Sequence, residues 1–256
     1  MKARFLWLDM RATLGERKTL LSAGMMAYAV LAMPVLIGKP PPHVLSALET
    51  WFGTADPFML SLFIWTDLAM NKVICVLGVV LAGSLMLRER ETGVLQVLLS
   101  KPVSPASYYL ARVLSACGVM ALLYVGTHLA VAPLLARSVP GFRAGVFFAS
   151  MSVHLFAAFF SVCFSALMAV LIQRRSLAML VSLLALMLLV GLSFMGFYNP
   201  AWGGISLLNP ITQGISVLGH VDDLRPAHVL GPIAILLGIN GAVLALGALR
   251  VRQLEV

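Results

Sequence analysis

A chain of 256 residues that is 61% hydrophobic and 11% charged, with a mean hydropathy of +0.98, lies far from the balance of a soluble domain, where about 25% of residues carry charge. Its long unbroken apolar runs predict membrane-spanning helices, because a hydrocarbon core about 30 Å thick takes roughly 20 apolar residues to cross and satisfies no free backbone group. The net charge of +8 then bears on orientation in a membrane and not on nucleic acid, and three cysteines, Cys75, Cys117 and Cys163, all inside apolar runs, argue against a disulfide framework.

The first 19 residues combine Lys2, Arg4, Arg11, Arg17 and Lys18 with Ala3, Leu6, Trp7, Met10 and Leu14 on one helical arc. This predicts an amphipathic helix lying in the membrane surface, and Asp9 and Glu16 argue against a cleavable signal peptide. Gly15 to Thr19 lacks the spacing of a phosphate loop and takes no nucleotide role. Leu20 to Ile37 is a first span, closed by Pro34 and the Lys39-Pro40-Pro41-Pro42 stop.

Asp56 as a cap and Pro57 at the first helical position open a second helix. Unbroken to Leu87 it would measure about 46 Å at 1.5 Å per residue, too long for the core alone, so part of it must protrude or break. Asp67, Asn71 and Lys72 mark the place. In the preferred reading residues 57–72 lie towards one membrane face and Val73 to Leu87 cross the core, with Gly78 and Gly83 permitting close packing. In the other, Asp67 and Lys72 form an intramembrane site, functional by default.

Between the second and third spans, Arg88 to Ser104 is a long polar-to-amphipathic interruption. Thr92 is placed to cap a short helix whose Val94, Leu95, Leu98 and Leu99 make an apolar side, Pro102 ends it, and Ser104 with Pro105 starts the next helix. Arg88, Glu89, Arg90 and Glu91 set charges at the mouth of the span, where an incoming partner can pair with them, and Gly93 lets another backbone approach. In an ordinary surface loop the same charges would only set topology. Leu110 to Leu135, Gly145 to Ile172, Leu177 to Phe197 and Val229 to Leu249 complete six spans. With the amino terminus inside, 13 of the 18 Lys and Arg fall on the cytoplasmic side and five outside, which puts both termini and the 88–104 stretch in the cytoplasm.

The pattern E-R-E-x-G-V-L-x-x-L-L-S-x-P-V-S is carried by Glu89, Arg90, Glu91, Gly93, Val94, Leu95, Leu98, Leu99, Ser100, Pro102, Val103 and Ser104, ahead of a helix that opens with tyrosines and an early basic residue. It resembles the permease subunits of ABC exporters of the ABC-2 type, and among them the small six-span branch typified by NosY. Val94 stands where that family usually has a small polar residue. Leu208-Asn209-Pro210 followed by Gly214 and Gly219 resembles the short extracytoplasmic re-entrant helices of the same permeases, and so does the basic tail after the last span.

The resemblance implies an all-α polytopic inner-membrane protein with six transmembrane helices. It also implies an amino-terminal surface helix at 1–19, a cytoplasmic coupling helix region at 88–104 seated in a groove of a separate ABC ATPase, and re-entrant helices at 198–228. The ATPase, in two copies, would bind ATP and Mg, this chain would bind no cofactor, and a second permease copy would complete a dimer. An extracytoplasmic partner protein is a further candidate.

No Walker motif, paired catalytic carboxylates or nucleophile elbow occurs in the chain, so an energy source must come from another polypeptide. Asp67, Lys72, His128 and His154 are the candidate pathway or intramembrane polar residues. His220, Asp222, Asp223 and His228 have metal-compatible side chains without a ligand spacing, and no metal site is assigned. The 14 methionines are scattered as packing residues, against a copper pathway. Three functions follow: an ATP-driven export permease, an intramembrane enzyme needing at least two of Asp67, His128 and His154 to converge, and an anchor or mechanotransmission subunit acting on an extracytoplasmic partner.

Overall fold

Pairs of a capping residue and a proline open the helices where the chain places them, because proline's fixed φ and missing N–H suit a first helical turn. In the structure, a computed structural model that describes residues 3–38, 42, 46, 49–50, 56–93, 104–198 and 203–253, Asp56 accepts from the Phe58 N–H at 3.0 Å and Ser104 from the Ser107 N–H at 3.2 Å. Asn209 accepts from the Ile211 N–H at 3.0 Å ahead of Pro210.

The elements in order are α1 (Ala3–Leu14), α2 (Arg17–Gly38), α3 (Pro57–Phe63), a π-helix (Ile64–Met70), α4 (Asn71–Ala82), α5 (Leu87–Glu91), α6 (Pro105–Ser138), α7 (Ala144–Ile172), α8 (Arg175–Tyr198), α9 (Gly203–Leu208), α10 (Pro210–Gly214), a 3₁₀ helix (Ser216–His220) and α11 (Pro226–Arg252). The described residues are helices and connections only.

Among the described residues, five helical stretches are long and apolar enough to cross a membrane: Pro57–Ala82, Pro105–Ser138, Ala144–Ile172, Arg175–Ser193 and Pro226–Arg252. The expected first span, Leu20 to Ile37, falls in α2, which is helical and runs on past Pro34 to Gly38 but is not one of the five.

The long second helix breaks twice. The π-helix inserts a wider turn, with the Asn71 N–H bonding to the Thr66 carbonyl five residues back, and a turn at residues 83–86 separates α4 from α5. The expectation that residues 57–72 form a polar end is corrected here. Asp67 and Asn71 are 1% and 0% exposed, inside the bundle, where Asn71 meets His154 of α7.

α7 is the central post, packed against α4, α6, α8, α10 and α11. Small residues bring the helices close. Gly78 of α4 lies so tight on Ser161 of α7 that a methyl group at Gly78 would meet the Ser161 carbonyl carbon at 2.7 Å, and the Ser161 hydroxyl donates across to the Ile74 carbonyl at 2.8 Å. α1 lies along α6, with Met10 filling the space over Gly118. The outer faces of α8 and α11 stay apolar and exposed, with Leu180, Leu184 and Leu188 on one and Leu230, Leu237 and Leu246 on the other. Lipid or a second chain can cover such faces.

Candidate functional site

At the end of the bundle where α1, α5 and the first turns of α6 meet, Arg112 is the organising side chain. It pairs with Asp9 of α1, and its Nη2 donates to Glu89 of α5 at 2.6 Å. A guanidinium offers several donors in one rigid plane, so it can hold two carboxylates from two directions. Arg90, next to Glu89, donates to the Gln173 side chain at 2.7 Å in the α7–α8 turn, where Gln173 adopts φ 58° at the carboxyl end of α7. The five-residue α5 is thereby tied to α1, α6 and α7.

Beyond α5, Gly93 sits at φ +73° with nothing within 4 Å of where a side chain would start. That backbone angle favours glycine. Thr92, expected to cap the helix that follows, donates back to the Glu89 carbonyl at 3.3 Å. Val94, Leu95, Leu98, Leu99, Ser100 and Pro102 lie outside the described residues, and only the backbone of Arg88 is described, within α5. An open cleft of about 740 Å³ lies between the α1–α2 elbow, α5 and the start of α8, lined by Arg17, Lys18, Glu89, Thr92, Arg112 and Arg175 among others.

A second site lies halfway along the bundle. The Asn71 amide donates to Asp67 at 2.5 Å, its oxygen takes a hydrogen bond from His154 Nε2 at 2.9 Å, and Tyr124 Oη meets His154 Nδ1 at 2.7 Å. His128 Nδ1 meets the Tyr124 carbonyl at 2.7 Å, and the two ring centroids lie 4.0 Å apart at a tilt of 34°. Because a carbonyl only accepts, His128 carries its proton on Nδ1. Because Asn71 gives its NH₂ to Asp67, it presents its oxygen to His154, whose proton is therefore on Nε2.

Three of the four intramembrane residues expected from sequence, Asp67, His128 and His154, are thus brought into one seam. Lys72 is not: it is exposed, and its Nζ returns to the Asp67 carbonyl oxygen at 3.0 Å. Asn71 and Tyr124 complete the seam without having been singled out for it. Their signals were the four-residue spacings Asp67–Asn71 and Tyr124–His128, which fit one helical face. Among the described residues His128 bonds to the Tyr124 carbonyl, His154 bonds to the Tyr124 hydroxyl and Asn71, and Asn71 stands between His154 and Asp67.

At the far end of the bundle from Arg112, Arg143 precedes α7 and gathers three segments. It donates to Asp56, the cap of α3, and to Asp222, both at 2.6 Å, and to the Val221 carbonyl at 3.2 Å. The guanidinium lies 5.5 Å from the Phe58 ring centroid. The hydrogen bond to Asp222 raises its already high pKa, so this charge is permanent. Asp223 is held by Arg225, and His220 stacks on His228 at 3.7 Å.

A family model described as "ABC-2 family transporter protein" matches residues 68–250, from within the π-helix to the last turn of α11. No curated protein matches the chain at a significant level.

Proposed function

Because the chain belongs to the ABC-2 family of transporter proteins, whose permeases work with a separate ATPase, we propose that it is the transmembrane subunit of an ATP-driven exporter of the small six-span branch. Two ATPase chains engage residues 88–104 of two permease copies from the cytoplasm. α2 supplies the sixth span, both termini face the cytoplasm of an inner membrane, and α9, α10 and the 3₁₀ helix form the extracytoplasmic re-entrant segment. The exposed apolar faces of α8 and α11 supply surface for lipid and for the second copy.

The observation that carries this reading is the double anchorage of α5. Glu89 is held by Arg112 of α6, and Arg90 reaches Gln173 at the end of α7, so a push delivered to the stretch beyond Gly93 acts on two spans at once. The chain carries no nucleotide motif of its own, and it serves as the moved element, not as a catalyst. A two-state membrane element driven by a separate ATPase needs a docking patch and a rigid lever, which residues 88–104 and the Arg112 clamp provide.

The test is purification of the full chain in mild detergent with its copurifying ATPase, beside a Glu91→Ala, Gly93→Val variant. Wild type should retain the ATPase and drive transport in vesicles, and the variant should insert normally but fail to couple hydrolysis to transport. Undiminished coupling in the variant, or no ATPase bound to wild type, would remove the assignment.

A further inference from the structure

The seam of Asp67, Asn71, His154 and Tyr124 has a layer of unsatisfied polar atoms on its side towards Arg143. Trp65 Nε1, Thr66 Oγ1, Ser150 Oγ and His128 Nε2 are all buried without a hydrogen-bond partner among the described residues, and the four residues are at most 2% exposed. Trp65, His128 and Ser150 face one another by position, and Thr66 follows Trp65 in the chain. Trp65 meets His128 edge-on at 5.6 Å, His128 lies 6.0 Å from Phe147, and Ser150 sits between Phe147 and His154 on the same face of α7. Buried polar atoms are paired in the great majority of cases, so four orphans in one layer call for a ligand.

Above this layer is a plug. Phe147 packs on Phe142 at 5.4 Å and Phe142 on Phe58 at 5.6 Å, and Arg143 lies over Phe58 while bound to Asp56 and Asp222. Latch, aromatic plug, orphan layer and seam therefore follow one another inward along the second span, α6 and α7.

We propose that this column is a proton-binding half-channel, closed in the present conformation by the Phe58–Phe142–Phe147 plug and the Arg143 latch, with His128 Nε2 as the group that takes up the proton. The sidedness rests on the orientation given under Proposed function, which makes the Arg143 end extracytoplasmic.

The chemistry of the layer selects the ligand. Trp65 Nε1 only donates, the two hydroxyls do either, and the free lone pair of His128 is its one strong base. A metal ion would find a single nitrogen ligand and an opposing N–H, whereas water can accept from Trp65 and donate to His128. On opening, a hydronium ion transfers its proton to Nε2 and leaves as water. The imidazolium keeps its Nδ1–H on the Tyr124 carbonyl, and Asp67, one residue beyond Thr66, lies on the helical stretch that carries Trp65.

In the closed layer the same imidazolium would be a buried charge and costly, so proton uptake and opening favour each other. The other titratable or charged groups nearby are Lys72 beyond Asp67, Tyr124 and His154 in the seam, and Asp56, Arg143 and Asp222 at the mouth. α2 meets this part of α6 through Met26 at Thr127, α10 brings only Pro210 to Gly214, and α11 carries Arg225 and His228 at its outer end.

The experiment is nitrogen-15 NMR of histidine-labelled full chain in nanodiscs, each histidine assigned by its His→Gln variant. Wild type should show His128 as the Nδ1–H tautomer and still singly protonated at a pH of about 5.5, roughly one unit below the ordinary imidazole value. Phe147→Ala should give His128 doubly protonated in more than half of the molecules at that pH. Arg143→Gln should do the same in a chain whose core is untouched, which covers the case of a misfolded Phe147→Ala.

An Nε2–H tautomer in wild type, or the same titration in wild type and both variants, would overturn the proposal. Sidedness is read separately by labelling Ser138→Cys with a membrane-impermeant maleimide on intact cells. A protected cysteine with the expected titration would reverse the orientation given under Proposed function and leave the proton site standing.

Discussion

Glu89 and Arg112 are 23 residues apart in sequence and 2.6 Å apart in space, and this contact fastens the short α5 to the opening turns of α6. Asp9 arrives at the same guanidinium from α1, 103 residues away. The two carboxylates are 17% and 12% exposed and Arg112 20%, so the cluster is largely withdrawn from water and is not a loose surface pair.

Removing the cation leaves two half-buried carboxylates facing each other. Arg112→Gln should lower stability by about 2 kcal/mol, below the full penalty of a wholly buried pair, and should weaken ATPase copurification. Arg112→Lys should restore less than half of the loss, since an ammonium is a point charge without the planar fork. Thermal unfolding in detergent and the yield of bound ATPase are the two readouts, and equal values for all three chains would contradict the clamp.

Asn71 is the seam's central link, because it satisfies Asp67 with one end of its amide and His154 with the other. Asn71→Leu should cost about 2 to 5 kcal/mol by stranding both groups. Tyr124→Phe, which removes one hydroxyl, should cost about 1 to 2 kcal/mol. Unfolding midpoints measured in one detergent check the order, and a Tyr124→Phe chain less stable than Asn71→Leu would show the seam to be wrongly centred.

Two glycines inside helices should respond in opposite directions to the same change. Gly78→Ala drives a methyl group into the Ser161 backbone and should destabilise by about 1 to 3 kcal/mol. The double variant with Ser161→Ala should not recover this, since the carbonyl carbon at 2.7 Å remains. Gly126→Ala meets nothing within 4 Å and should stabilise α6 by about 0.5 to 1 kcal/mol. Unfolding midpoints of the three chains decide the matter.

Much of the fold was legible because its signals are local. The Asp56-Pro57 and Ser104-Pro105 starts need only neighbouring residues, and the apolar runs of α6, α7 and α11 need only their own length. Asp67 is ambiguous in the sequence because a polar residue in an overlong helix suits a protruding end as well as a buried site. What decides between them is α7 alongside, whose His154 meets Asn71 one turn from Asp67. Tyr124 escaped notice since a tyrosine in an apolar span reads as packing until His154 is seen 2.7 Å away.

The sequence by itself determined a multi-pass helical membrane protein, the positions of its long helices, and the Arg88 to Ser104 interruption with the family likeness it carries. Composition, hydropathy and capping act over a few residues and survive without a fold. Only the tertiary structure decided which polar residues meet: Asp9 and Glu89 on Arg112, Asp67 and His154 on Asn71, and Asp56 and Asp222 on Arg143. Each of these sets draws on helices separated by scores of residues. Their convergence depends on packing small residues across helix faces, as between Gly78 and Ser161, and no local pattern encodes that distance.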